Sequence, residues 1–80
     1  MKLGDEITYL GARAIVSEIR GSNEVITSQR TLENAITHEL ITDTVMGLEE
    51  YVDLISFTPN GDNQNPHIVR NVHFIDGVAQ

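Results

Sequence analysis

Three histidines and two adjacent carboxylate pairs are the side chains in this 80-residue sequence whose chemistry could hold a metal ion or move a proton. His67 and His73 lie six apart; on one strand they would share a face about 20 Å apart, at a rise of roughly 3.3 Å per residue. That is too far for one ion, and His38 stands alone, so a zinc site would need a tertiary coincidence with carboxylates. Asp5-Glu6 and Glu49-Glu50 are neighbours in sequence, which on a strand point to opposite faces. Nothing around either pair suggests the burial that tunes a carboxyl for proton transfer. Ser17, Ser22, Ser28 and Ser56 sit in no nucleophile motif, and no glycine pattern of the phosphate-cradling kind is present. With no cysteine there is no thiolate and no disulfide frame, which points to an intracellular or particle-bound setting. The sequence therefore predicts a non-enzyme without metal or cofactor.

Charge says more. Twelve acids against five lysines and arginines leave a net charge of −7, a field that repels phosphate backbones and favours basic partners. Nucleic acid is accordingly disfavoured. Between Thr31 and Phe57 stand Glu33, Glu39, Asp43, Glu49, Glu50 and Asp53 with no Lys or Arg among them. They are a candidate docking face for a protein with a basic surface, with electrostatics raising the association rate. The structural alternative is that these charges keep exposed strand edges from pairing with other chains. A second candidate is the polar run Asn60, Asp62, Asn63, Gln64 and Asn65, followed by Arg70. It reads either as a solvated hairpin tip or as a hydrogen-bonding rim for a protein, a second copy or a small polar ligand. In the ligand case Arg13 and Arg70 would be the anion contacts, since a guanidinium grips phosphate with two parallel hydrogen bonds. No signal-peptide core follows Lys2, and no apolar run approaches the roughly 18 residues of a membrane span. The expectation is a cytoplasmic protein away from membranes.

The elements that must position these residues read as strands. Ile7 and Tyr9 alternate with Thr8, and Ala14 and Val16 with Ile15 and Ser17, the period of two of a pleated strand. Leu10-Gly11 forms the turn between them. Ile15 and Ile19 fall on the other phase from Val16, so either a bulge lies between Val16 and Ile19 or this strand is covered on both faces. Gly21 in RGSN ends the strand, and Glu24–Ser28 forms a short third strand paired with it. Residues 29–50 support two readings. Leu32, Ala35, Ile36 and Leu40 have helical spacing behind a Thr31 N-cap. The same stretch alternates as a strand, with Ile36, His38 and Leu40 on one face, and its density of Thr and Ile favours strand. Gly47–Glu50 reads as a turn or a single helical turn. Tyr51–Thr58 and His67–Ile75 form a second hairpin, with Asn60-Gly61 as its turn signal and Pro59 and Pro66 at its borders. Asp76–Gln80 are expected to fray.

GDEITYLG followed by RAIVSEI resembles the first hairpin of SH3-like barrels, including KOW-type modules. Together with YVDLISFTPNG it is similar to small barrel proteins of bacteriophages, whose pattern has an A-I-V-x-x-I strand and then a V-x-L-x-x-F-x-P-x-G strand. The likeness covers Gly4–Ile19 and Tyr51–Gly61. It implies a mainly β fold, an SH3-like barrel of about five antiparallel strands, with a short helix or extra hairpin inserted between residues 22 and 50. Eighty residues make one domain with a core near the lower size limit, so self-association into a homo-oligomer is expected. The function implied is a phage accessory protein that binds a host factor in the host cytoplasm. Two alternatives stay open: an oligomer that binds a nucleotide-like signal, and a virion decoration or connector component.

Overall fold

The computed structural model describes residues 1–57 and 66–80. Leu10 and Gly11 both take positive φ, 51° and 79°. That is the mirror-image turn whose twist suits a tight hairpin, and it joins β1 (Glu6–Tyr9) to β2 (Ala12–Glu33) with Tyr9 opposite Ala12. Next come β3 (Leu40–Ser56), β4 (His67–Ile75) and β5 (Val78–Ala79), giving one antiparallel sheet in the order β1-β2-β3-β4-β5. Each strand lies beside its neighbour in sequence.

The core is small and sits at one end. Ala14, Val16, Val52, Leu54, Val72 and Phe74 are buried together, with Met1, Ile7, Tyr9, Ile19 and Val69 packed around them. The Tyr9 and Phe74 rings meet at 6.3 Å, so β1 and β4 approach each other across the concave face. β1 and β5 nevertheless remain unpaired edges. The sheet curls without closing, unlike the expected barrel.

Three bulges produce the curl, all on β2: between Val16 and Glu18, between Ile19 and Gly21, and between Ile26 and Ser28. Each extra residue bends its strand and sharpens the twist. The first resolves the phase change after Val16 as a bulge, one of its two readings. The second corrects the reading of RGSN as a strand end: the chain bulges at Arg20 and continues, with Gly21 lying under the Tyr51 ring. Glu24–Ser28 is therefore part of β2, not a separate strand.

Residues 29–50 contain no helix. β2 runs to Glu33, the chain turns through residues 34–39, and β3 returns from Leu40. Asn34 Oδ1 accepts hydrogen bonds from the amides of Ile36 and Thr37 at 2.9 and 3.0 Å, and His38 takes a φ of 61°. This local bonding of an asparagine side chain stabilises a turn where apolar spacing alone suggested helix. It also removes the expected strand alternation of Ile36 and His38. Gly47–Glu50 lie inside β3 and make no turn. Asp76 and Gly77, with φ of 49° and 78°, form another mirror-image turn, so the last residues pair as β5 rather than fray.

Candidate functional site

β2 and β3 are far longer than the sheet they belong to. β1 pairs β2 only as far as Ile15, and β4 pairs β3 only from Glu49 onward. From Val25 to Gly47 the two strands pair with nothing but each other. The result is a two-stranded arm projecting from a small body, and the molecule measures 65 × 22 × 15 Å. Its radius of gyration is 18.4 Å, against about 12 Å for a compact chain of this length.

The arm is apolar on both faces. Register places Ile26, Met46 and Leu40 on one face and Leu32, Ile41 and Val45 on the other, and all six are exposed. Ile36, in the terminal turn, is 89% exposed. An isolated two-stranded ribbon is marginal in water, and the exposed cross-strand pairs Ile26–Met46 on one face and Leu32–Ile41 on the other are the apolar surface a partner would cover. Among the described residues the side-chain ties in the arm's outer half are exposed ones: Arg30 Nε to Asp43 Oδ2 at 3.1 Å and His38 Nδ1 to Glu33 Oε1 at 3.1 Å.

The arm's root is locked. Leu48 N donates to Asp76 Oδ1 at 2.8 Å and Asp76 N donates to Leu48 O at 2.9 Å, tying the end of β4 to β3. Gly47 is buried there, and a methyl group in its place would fall on Thr27 Cγ2 and within 2.7 Å of an Asp76 carboxylate oxygen. Gly47→Ala is expected to destabilise the chain by about 1–3 kcal/mol, the usual cost of overpacking. Urea unfolding checks this, and a variant as stable as the parent would remove the root from the account. Beside the root lies an open recess of about 300 Å³ lined by Glu24, Met46, Gly47, Leu48 and Asp76. Its two carboxylates suit an apolar or cationic group and repel an anionic nucleotide.

The six acids expected to form one docking face do not share one. Glu50 is buried on the core side, where both carboxylate oxygens accept from the Met1 ammonium at 3.0 and 2.9 Å. Asp53 is buried on the opposite face, gripped by Arg20 through two bonds of 2.8 Å and by the Asn71 amide at 2.8 Å. Asp43 pairs with Arg30, Glu33 with His38, and Glu49 with His73 at 3.0 Å. Glu39 lies in the exposed arm turn. Asn60, Asp62, Asn63 and Asn65 lie outside the described residues. Arg13 spreads over the Phe57 ring at 4.4 Å with Glu6 3.4 Å away, and Arg70 stands 3.9 Å from Asp53. Each arginine is thus beside its own carboxylate.

The histidines do not share a face either. The ladder between β3 and β4 shifts between Val52 and Leu54, where Arg70 and Asn71 bulge, with Asn71 at a φ of 58°. His67 consequently registers with Ser56 on the core side, while His73 stacks on Tyr51 on the other, ring centres 4.6 Å apart. Among the described residues no group of three ligands could hold a metal ion.

The arm's apolar residues were missed as a site, although their pattern carried a signal. Both phases of the arm carry some apolar residues, Ile26, Leu40 and Met46 in one and Leu32, Ile41 and Val45 in the other, and among the described residues nothing covers either face. No protein-family profile, curated protein or solved structure matches this chain.

Proposed function

We propose that this protein is a non-enzymatic assembly module whose β-arm docks against protein, as a structural component of a larger particle. The observation that carries the reading is the arm itself: two long strands with exposed apolar residues on both faces and, among the described residues, nothing to cover them. A regulatory protein that merely needed an acidic patch would not need it. Of the roles expected from the sequence, we therefore favour the virion-type decoration or connector component, a setting in which the phage-barrel resemblance also fits. Host-factor binding through an acidic face has less support, because most of those acids are engaged with bases of the same chain. Binding of a nucleotide-like ligand has less support still, given an acidic recess and arginines already beside carboxylates.

Hydrogen exchange on the isolated, dilute chain tests the proposal. Local stability follows buried apolar contact. Amides of Val52 and Leu54 should be protected near the global limit, whereas those of Leu32 and Ile41 should exchange at least ~100-fold faster. An arm as protected as the core in dilute monomer would need no partner, and the proposal would fall.

A further inference from the structure

We infer that the outer edge of β3, from Leu40 to Gly47, pairs antiparallel with the same edge of a second copy of this chain. The inference rests on the docking role of the arm and names its partner.

Among the described residues the arm has two unpaired edges, and they differ. β2 carries three bulges, one of them within the arm at Thr27, together with Glu24, Arg30 and Glu33. Bulges and charges are the devices that keep an edge from pairing. β3 runs from Leu40 to Leu48 with no bulge and one charged residue, Asp43, which Arg30 neutralises at 3.1 Å. In a molecule of net charge −7, this neutral stretch is where two copies can approach without repulsion.

The main-chain groups of that edge are oriented for pairing. Leu48 turns its N–H and C=O toward Asp76, away from β2. Alternation along an antiparallel strand then points the amides of Met46, Thr44 and Thr42 outward as well. A strand that joins its own copy across a two-fold axis does so antiparallel, with the same residues on both sides. Centring the axis on Asp43 would oppose two carboxylates, which is unfavourable. Centring it on Thr44 sets Thr44 against Thr44, Asp43 against Val45 and Thr42 against Met46, which keeps the acids apart and stops short of Leu48, whose N–H and C=O are already bonded to Asp76.

The surface area agrees in size. The chain exposes 5731 Å², whereas a compact monomer of this mass exposes about 4800 Å². The surplus of roughly 900 Å² is close to the ~800 Å² that each partner buries in an ordinary stable interface.

Light scattering with engineered thiols tests the inference on the full chain, which has no cysteine of its own. The parent should scatter as a dimer, and mild oxidation of Thr44→Cys should give a disulfide-linked dimer, since facing residues in such a ladder lie about 5.5 Å apart at Cα. Gln29→Cys, on the strand opposite Thr44 in register, should give at least ~10-fold less cross-linked product, as its edge faces solvent. Thr44→Pro removes an outward N–H and no bond of the ribbon, so it should yield a monomer with unchanged β content. A parent that stays monomeric at millimolar concentration overturns the second-copy pairing; a fast-exchanging arm in that monomer would leave the docking reading standing. A dimer that cross-links equally through Gln29→Cys, or that survives Thr44→Pro, overturns the β3 edge as the interface.

Discussion

Leu54→Ala is expected to lower the thermal midpoint by roughly 10–30 °C. The expectation follows from how little core there is. Leu54 is fully buried, facing Val16 on β2 and Val69 on β4. Among the described residues its buried neighbours are Ala14, three valines and Phe74, and these hang on a single curled sheet with no second layer that could collapse into a void. Truncating a buried leucine costs about 2–5 kcal/mol, and the whole chain has about 4–12 kcal/mol to lose at the usual stability per residue. Each kcal/mol moves the midpoint of a domain this small by about 4–8 °C. Ile41→Ala on the arm, where the side chain is 61% exposed, should change the dilute chain by no more than about 0.5 kcal/mol. Thermal melts of the two variants side by side check both halves. If Leu54→Ala melts within two degrees of the parent, the body is not the folding unit.

The contrast between Leu54 and Ile41 shows what a reader of the sequence can and cannot see. Both are aliphatic residues in strands; period-two alternation places Leu54 in β structure, and for Ile41 it favours strand over an equally spaced helix. What separates them is whether the rest of the chain comes back to cover them, and that is decided by strand length, which depends on where turns fall. Gly21 reads as a turn because glycine, serine and asparagine favour one, yet a bulge at Arg20 absorbs the irregularity and the strand goes on. Asn34 was the real turn residue, and its hydrogen bonds to Ile36 and Thr37 are local enough to have been suspected. Asp76-Gly77 carries one of the strongest hairpin signals there is, hidden by proximity to the chain end. The bulge at Arg70 and Asn71 illustrates the limit: one extra residue sends His67 and His73 to opposite faces, and nothing in HIVRNVHF announces it. The acids failed as one face for the same reason, since their partners, Arg20 and Met1, come from distant parts of the sequence.

Asp53 should be the acid-sensitive point of the body. Its carboxylate accepts both nitrogens of Arg20 and the amide of Asn71, with Arg70 nearby. The bond from Arg20, then that from Asn71, outweighs burial and holds the carboxyl at a pKa of about 2, below the ordinary 3.8. A group depressed in the folded state binds its proton more readily when unfolded, so it stabilises the fold fully above pH 3.8 and loses that contribution as pH falls through 2. The bulges at Ser17, Arg20 and Asn71 all converge here: Ser17 Oγ donates to Asp53 O at 3.1 Å, and the other two supply the carboxylate's donors. Asp53→Asn keeps the shape and an acceptor for the Asn71 amide but removes the charge facing Arg20. The variant should be less stable than the parent at pH 7, by a margin that stays constant down to about pH 4. Between pH 4 and pH 2 the two unfolding midpoints should converge, because the parent's carboxyl becomes neutral over that interval. Other carboxylates titrate equally in both chains and cancel from the difference. Midpoints that keep their separation down to pH 2 would show that the charge of Asp53 contributes nothing, and that packing alone holds the three bulges together.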